Sequence, residues 1–327
     1  MSKNFKTFGI IFILFTLISG FLFVSFSQII KTETGNERTY TYREYPLICN
    51  NIKLHLDRID ITGHPSKKNI LLVHGLTYSS HEFDINYKDY SLVRALAREG
   101  YSVWRLDIAG YGRSGEVADG FLPNSDYATE DINAAVEKIK QVTGQDKIDL
   151  LGWSWGTVTT SKFASKHNEH LNKLVLFAPI MSGIGKSDIK EPFHHNTWEH
   201  SVEDFQHDKN GNIDYSITEP IFAELWALSC RHYDGKKSPN GGRRDICVDS
   251  SKKLIDFSLL KIPTLVIYGD KDPYLNYKLI NTDKLLLPKG SSVKIIKGGS
   301  HVVFVEKPYH KEFQKILVNF LNNKCDN

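Results

Sequence analysis

The chain has 327 residues, of which 41% are hydrophobic and 24% charged, and its formal net charge at pH 7 is +3. Its length fits one large α/β domain with an insertion, or two domains, and its composition is that of a globular protein. The small net charge, with no block of like charges, argues against a nucleic-acid partner.

The first 27 residues carry an export pattern. Lys3 and Lys6 precede an apolar run from Phe8 to Phe26, which is typical of a segment that directs a chain out of the cytoplasm. The run is long enough to span a bilayer, while Ser25 and Ser27 would also suit cleavage after Ser27. We expect an extracytoplasmic protein whose membrane contact is confined to residues 1–27. Whether that segment is cleaved, giving a secreted protein, or kept as an anchor stays open.

Polar residues 31–38 follow, and we interpret them as a linker. Two stretches in which apolar and polar residues alternate come next, Thr39 to Cys49 and Ile52 to Ile61, joined by Asn50-Asn51. This pattern predicts a hairpin at the edge of a sheet.

Buried strands and helices then alternate. Short apolar runs predict strands at 70–73, 103–106, 148–151 and 174–178, and apolar residues at helical spacing predict helices at 92–98, 131–142 and 157–167. Strands that alternate with helices in this way form a mostly parallel sheet covered by helices on both faces. The sequence therefore predicts an α/β fold.

An aromatic, histidine-rich stretch, residues 181–258, interrupts this alternation and contains one helical segment at 220–230. The last elements, two strands and a helix, follow at 264–268, 293–296 and 309–321. We expect an insertion between two strands of one sheet to cover their C-terminal ends. The predicted organisation is a core of residues 28–180 and 259–327, with residues 181–258 as a cap.

The motif Gly152-Trp153-Ser154-Trp155-Gly156 joins a predicted strand to a predicted helix with the spacing Gly-x-Ser-x-Gly. The two glycines allow a serine on a sharp, strained turn that lifts its hydroxyl above the sheet. The turn also directs the N–H of Trp155 at the place where a carbonyl oxygen would become negative. The alternative is a plain turn serine, although two tryptophans around a turn without a site would be unusual.

Two further polar residues follow the last predicted strands. Asp272 lies in the loop after the strand at 264–268, and His301 follows the last strand in Gly298-Gly299-Ser300-His301. Sites in open α/β sheets form at the C-terminal ends of strands. The chain order Ser154, Asp272, His301 is that of nucleophile, acid and base in one hydrolase architecture. Asp270 in the same loop is a competing acid.

These motifs resemble those of the α/β-hydrolase superfamily, in particular its capped, single-domain serine esterases and lipase-like hydrolases. The resemblance covers about residues 38–321 outside the cap. It includes His74-Gly75, the Asp-x-x-Gly-x-Gly-x-Ser turn from Asp107 to Ser114, and Glu306-x-Pro308. It implies the α/β-hydrolase fold and no cofactor.

The resemblance also implies roles for individual residues. Ser154, His301 and Asp272 would form a catalytic triad, with Asp272 favoured over Asp270 by its position in the loop. The backbone N–H groups of Leu76 and Trp155 would form the oxyanion hole. By the same resemblance, His74 is expected to pack behind the oxyanion loop, and we interpret Asp107 as a hydrogen-bond acceptor that shapes its turn.

Aromatic residues of the cap and of the serine turn indicate an apolar substrate group. The residues that we predict to line the pocket are Trp153, Phe193, Trp198, Phe222 and Trp226. Each of the cap aromatics taken singly fits a small cap core equally well. Together they favour an apolar acyl or alcohol group over a sugar or a polyanion.

Two stretches of the cap contain metal-ligand residue types, but we predict no metal site. The histidines at 194, 195, 200 and 207 match no standard zinc spacing. The segment from Asp208 to Glu219 resembles a calcium loop, yet Ile213 stands where glycine is needed for the bend. Asn210-Gly211 is better explained as a hairpin turn, and calcium remains the alternative.

Four cysteines, Cys49, Cys230, Cys247 and Cys325, lie beyond the export segment. Outside the cytoplasm an even number permits disulfides. We prefer the pair Cys230–Cys247 because both lie in the insertion, and four unpaired thiols are the alternative.

The sequence thus predicts an exported serine hydrolase that cleaves small carboxylic esters through an acyl-enzyme. The first alternative is a serine peptidase of the same fold that removes N-terminal residues, although no acidic cluster for a free amine is evident. The second is a binding protein that keeps the fold without turnover. The oligomeric state and the substrate stay open.

Overall fold

The computed structural model describes residues 30–35, 38–277, 279 and 286–324. The export segment and Cys325 therefore lie outside the described residues. Among the helices that are described, none combines the length and the hydropathy needed to cross a bilayer.

A mixed sheet forms the centre of the molecule. The strands of the described residues are β1 (Ile30–Gly35), β2 (Arg38–Cys49), β3 (Ile52–Ile61), β4 (Lys68–Val73), β5 (Tyr101–Asp107), β6 (Ile148–Trp153), β7 (Leu171–Phe177), β8 (Phe193–His195), β9 (Lys237–Pro239), β10 (Thr264–Gly269) and β11 (Ser292–Ile296). Nine of these form the sheet in the order β1-β2-β3-β5-β4-β6-β7-β10-β11. The pairs from β5 through β11 are parallel, whereas β1, β2 and β3 pair in antiparallel fashion.

Helices cover both faces of the sheet. They are α1 (Leu92–Arg98), α2 (Ser125–Thr143), α3 (Trp155–Lys166), α4 (Trp198–Ser201), α5 (Pro220–Asp234), α6 (Gly241–Ile246) and α7 (His310–Leu321). Leu96 of α1 and Phe313 of α7 belong to one buried cluster, and Ile132 of α2 and Val158 of α3 to another. The predicted parallel sheet with helices on both faces is confirmed.

The predicted hairpin is confirmed, but its position in the sheet is not. Asn50 and Asn51 both adopt positive φ, 48° and 63°, as a two-residue turn of the kind favoured in hairpins requires. The segment 31–38, predicted as a linker, mostly belongs to β1, which pairs with β2 and forms the edge. Lys31 and Thr32 of this strand are exposed, as suits an edge strand.

The insertion between the neighbouring strands β7 and β10 packs on the core through α5. Phe222 and Trp226 of this helix are at most 2% exposed and share a buried cluster with Phe304 of the core. Burying a side chain of this size contributes roughly 2–3 kcal/mol. The contact therefore holds the insertion firmly against the sheet.

The preferred disulfide between Cys230 and Cys247 is wrong. Both are free thiols, as is Cys49. Cys230 is buried in the same hydrophobic cluster as α1 and α7, whereas Cys247 packs against the cluster of α2 and α3. Two residues of one insertion thus face different cores, which keeps their sulfur atoms unpaired.

Candidate active site

Ser154 occupies the sharp turn between β6 and α3. Its backbone has φ 56° and ψ −124°, a conformation that is strained for any residue with a Cβ. The two glycines make this turn possible, because a Cβ on Gly156 would lie 2.6 Å from the carbonyl oxygens of Val73 and His74, and one on Gly152 would collide with α3. The turn therefore has the strand-to-helix geometry expected of a nucleophile.

His301 and Asp272 form a buried pair. The Nδ1 atom of His301 lies 2.8 Å from Oδ2 of Asp272, and both residues are at most 2% exposed. The second carboxylate oxygen of Asp272 accepts a hydrogen bond from the N–H of Tyr274 at 2.9 Å. Burial opposes a charge on the imidazole, but the negative charges of Asp272 and Asp204 outweigh it and raise the pKa of His301.

Asp270, the competing acid, has another partner. Its Oδ1 accepts a hydrogen bond from the N–H of Gly298 at 2.6 Å and so ties two loops together. The carboxylate that reaches His301 is that of Asp272. The geometry therefore favours the assignment of Asp272 as the partner of the imidazole.

Glu306 holds the loop that carries His301. It accepts hydrogen bonds from the N–H of Ser300 at 3.1 Å, from the Ser300 hydroxyl at 2.7 Å and from the side-chain amide of Gln206 at 2.8 Å. On the other side, the indole N–H of Trp153 donates to the carbonyl of His301 at 3.2 Å. These contacts make Glu306 and Trp153 positioning residues for His301.

His74 lies behind the loop that approaches Ser154. Its Nε2 accepts a hydrogen bond from the N–H of Ile108 at 3.1 Å, so that Nδ1 carries the proton, 2.8 Å from the carbonyl of Gly75. Burial lowers its pKa and keeps the ring neutral. With both nitrogens engaged, His74 is not a second base. The next residue, Gly75, touches the turn that carries Ser154, since a Cβ there would lie 2.7 Å from that of Ser154.

Asp107 is a hydrogen-bond acceptor, as expected. Its carboxylate accepts from the N–H of Ser80 at 2.9 Å and from the N–H of Arg113 at 3.0 Å. It therefore joins the turn after β5 to the segment after β4.

Ser154 and His301 line one cavity, together with Leu76. The cavity encloses about 610 Å³ that protein atoms do not fill, part of it open to solvent. Its other lining residues come from the core and from the insertion: Thr77, Tyr78, Glu82, Ile180, Ile184, His200, Ser201, Glu203, Asp204, Trp226, Arg243, Ile246 and Tyr274. The insertion thus contributes part of the wall above Ser154.

One of the five aromatic residues predicted to line the pocket lines this cavity. Among the described lining residues, Trp226 is the one predicted aromatic that is present. Trp153 stacks on Phe177 in the core, and Phe222 packs against Tyr90. Both rings are buried in the hydrophobic core beneath the insertion and so do not line the cavity.

The remaining two aromatics also lie away from the cavity lining, Phe193 against the cluster of α2 and α3 and Trp198 at the surface. Phe193 in β8 packs under the ammonium group of Lys237, 4.6 Å from its ring centroid, and Trp198 is 44% exposed. The wall above Ser154 is therefore more polar than the sequence suggested.

Comparison with known proteins identifies the fold. A family model described as alpha/beta hydrolase fold matches residues 68–213. The chain has the α/β-hydrolase fold. Two solved structures share the fold: a thermophilic esterase from Thermogutta terrifontis (TM-score 0.62, 16% identity, 86% of this chain and 98% of that one) and a bromoperoxidase from Bacillus anthracis (TM-score 0.61, 21% identity, 85% and 99%).

Curated relatives of this hydrolase-fold chain include enzymes with hydrolase names. Serine hydrolase BPHL of Mus musculus is 25% identical over 290 residues, 83% of this chain and 84% of the relative. Proline iminopeptidase of Saccharolobus solfataricus is 32% identical over 118 residues, 36% of this chain and 35% of the relative. These relatives support an enzymatic function.

Several charged residues of the cavity were not predicted from the sequence. Glu82 belongs to a 3₁₀ helix, Ser80–Asp84, directly after β4, and Glu203, Asp204 and Arg243 come from the insertion. No motif or periodic pattern marks them. Glu203, Asp204 and Arg243 reach the cavity only because the insertion folds over the sheet.

The metal-ligand residue types of the insertion have other contacts. His194 and His200 pack against each other with tilted rings, 4.1 Å between centroids, and burial lowers their pKa values to about 4 and about 3. The Oδ1 atom of Asp208 accepts hydrogen bonds from backbone N–H groups of its own turn, while Glu219 pairs with Lys88. The segment 208–219 therefore begins with a hydrogen-bonded turn, and its last acidic residue, Glu219, is paired with Lys88.

Proposed function

We propose that the protein is a serine hydrolase that cleaves carboxylic esters through an acyl-enzyme. Ser154 is the nucleophile, His301 the general base and Asp272 the acid that orients it. The observation that carries this proposal is the strained Ser154 in one cavity with His301, whose imidazole is bound to the buried carboxylate of Asp272. This is the nucleophile, base and orienting group that such chemistry needs.

The proposed reaction has two halves. The Ser154 hydroxyl attacks the ester carbonyl while Nε2 of His301 takes its proton, and Asp272 stabilises the imidazolium. The N–H groups of Leu76 and Trp155 bind the oxyanion, and the alcohol leaves with the proton from His301. Water then attacks the acyl-enzyme, again giving its proton to His301, and the acid is released as Ser154 recovers its hydrogen.

We further propose that residues 181–258 act as a cap and that the enzyme works outside the cytoplasm. The contribution of Trp226 and Arg243 to the cavity wall supports the cap. The export pattern of residues 1–27 supports the location. The proposed substrate is thus an ester that the enzyme meets outside the cytoplasm and that is small enough to be enclosed by the cap.

A second candidate is a peptidase that removes N-terminal residues. The acidic side chains on the cavity wall, Glu82, Glu203 and Asp204, favour it, because such an enzyme must bind a free amine. A relative named proline iminopeptidase supports the same candidate over about a third of the chain.

A substrate panel separates the two candidates. The purified protein is offered p-nitrophenyl esters and amino-acid p-nitroanilides side by side, and the rate of p-nitrophenol or p-nitroaniline release is measured. We expect ester hydrolysis that disappears in Ser154→Ala. Turnover confined to the anilides would replace the esterase with the peptidase, and no turnover of either would favour a binding protein.

A further inference from the structure

Glu82 is a buried carboxylic acid that forms no ion pair with any of the described residues. It is 3% exposed, and its Oε2 has no hydrogen-bond partner within the described part of the chain. Burial and the neighbouring acids Asp234 and Asp204 raise its pKa well above the usual value. An unpaired buried carboxylate is costly, so burial favours the protonated form of Glu82, and a cation bound beside it would favour the ionised form.

The place of Glu82 in the molecule indicates where that partner binds. Glu82 lines the cavity that also contains Ser154 and His301. Asp204 lines the same wall and influences both Glu82 and His301 electrostatically. The Asp204 carboxylate accepts a hydrogen bond from the hydroxyl of Tyr274 at 3.0 Å. Acidic groups therefore extend from Glu82 to the edge of the imidazole.

The positive groups of the wall do not balance these acids. Glu82, Glu203 and Asp204 are three carboxylates, and Arg243 is the one guanidinium among the described lining residues, which leaves a formal charge of −2 when all are ionised. Arg243 donates hydrogen bonds to Thr77 and to Asn240. The other basic side chain of the insertion wall is His200, which stays neutral because burial lowers its pKa to about 3.

We propose that the substrate of this site carries a protonated amine, which Glu82 and Asp204 bind beside the carbonyl that Ser154 attacks. The proposal deepens the proposed function and rests on it. An ammonium group would supply the missing partner of Glu82 through charge-assisted hydrogen bonds. Three aromatic residues, Tyr78, Trp226 and Tyr274, line the same cavity, and aromatic rings can add to the attraction of a cation.

The test compares two esters of equal length. The p-nitrophenyl esters of β-alanine and of butanoic acid differ in one terminal group, an ammonium in the first and a methyl in the second. The kcat/KM ratio for the two esters is measured at pH 7 and divided by the ratio of their uncatalysed hydrolysis rates. We expect a preference of about 10- to 100-fold for the β-alanine ester, the range given by a hydrogen bond to a charged group.

Variants assign the preference to Glu82. Glu82→Gln keeps the shape of the side chain and is expected to remove most of the preference. Glu199→Gln is the matched control, because Glu199 is an exposed acid on α4 that is outside the described cavity lining. This control is expected to keep the full preference.

Two additional readouts distinguish the ways in which the proposal can fail. Labelling of Ser154 by a neutral fluorophosphonate tests the nucleophile without any amine. Labelled enzyme that hydrolyses both esters equally, or that keeps its preference in Glu82→Gln, overturns the amine site and leaves the proposed function standing. Absence of labelling and of turnover overturns both. Inhibition of butanoate hydrolysis by propylammonium but not by propanol supports the amine site without depending on a variant.

Discussion

At the scale of single residues, the coupling of His301 to Asp272 predicts a pH dependence. His301 must be neutral to accept the proton of Ser154, and Asp272 raises its pKa above the usual value of about 6.5. We therefore expect kcat/KM for an ester to be fully developed above that raised pKa and to be lost as the pH falls through it. A pH–rate profile of the purified protein measures the inflection.

Two neighbouring aspartates provide the variant and its control. Asp272→Asn removes the negative charge next to the imidazole, so the inflection should move to lower pH. The activity should also fall, since the corresponding change in a serine protease with a Ser-His-Asp triad lowers kcat by about 10⁴-fold. Asp270→Asn should leave the inflection in place, because Asp270 bonds to Gly298 instead. An inflection that moves with Asp270 and not with Asp272 would contradict the assignment.

How much of the site the sequence could predict also differs from residue to residue. Ser154, Asp272 and His301 were predicted because each follows a strand in a short motif, and Asp272 and His301 do lie in contact. Glu82 was missed because its single 3₁₀ turn has no periodic signal. Phe222 was misplaced because an aromatic residue on an amphipathic helix fits a core and a pocket equally well.

At the scale of elements, the contact of α3 with β4 depends on one glycine. Gly156→Ala would place a methyl group 2.6 Å from the carbonyl oxygens of Val73 and His74, and these belong to rigid backbone. We expect a loss of stability of about 1–3 kcal/mol, as for other overpacked sites, and loss of activity because Ser154 moves. Urea unfolding measures the first and ester hydrolysis the second.

Gly63→Ala is the control for this variant. Its φ is 80°, but no atom lies within 4 Å of the added methyl group, so the expected cost is the backbone strain of about 1–2 kcal/mol alone, with activity unchanged. Full activity in Gly156→Ala would contradict the close packing of the nucleophile turn.

Periodicity predicted the central elements better than their ends. The helix predicted at 131–142 begins at Ser125, where the side chain of Asn124 caps it, and ends at Thr143, followed by Gly144 as its C-cap. Its first turn was missed because it contains few apolar residues. Strand β1 was missed for a related reason, since an edge strand of polar residues lacks the apolar pattern by which buried strands are recognised.

At the scale of the whole molecule, Asp234 ties the insertion to the core. Its carboxylate, at the end of α5, accepts hydrogen bonds from the N–H groups of Ser79 at 3.2 Å and Gly112 at 2.9 Å and pairs with His81 at 2.9 Å. Asp234→Ala leaves these donors unpaired. We expect faster proteolysis within residues 181–258 and reduced ester hydrolysis, both measured on the purified protein.

Asp249→Ala is the matched control for the docking of the insertion. Asp249 is an exposed acid of the same insertion whose side chain binds Ser251 within its own turn. Its removal should leave the proteolysis rate unchanged. Equal rates for Asp234→Ala and the wild-type protein would show that the apolar contact of α5 suffices to hold the insertion.

The general architecture of the molecule was predictable, whereas the shape of the cavity was not. Alternating strands and helices predicted the sheet because burial on both faces requires continuous apolar runs. The path of residues 181–258 is set by contacts with distant parts of the chain, such as Asp234 with Ser79 and Gly112. Contacts of this kind leave no local pattern in the sequence.

The measurement that tests the central claim most directly is covalent labelling of the purified protein with a fluorophosphonate, mapped by mass spectrometry. We expect one adduct on Ser154 that is lost in Ser154→Ala and strongly reduced in His301→Ala. Well-folded protein that forms no adduct, or an adduct on another serine, would contradict the assignment of Ser154 as an activated nucleophile.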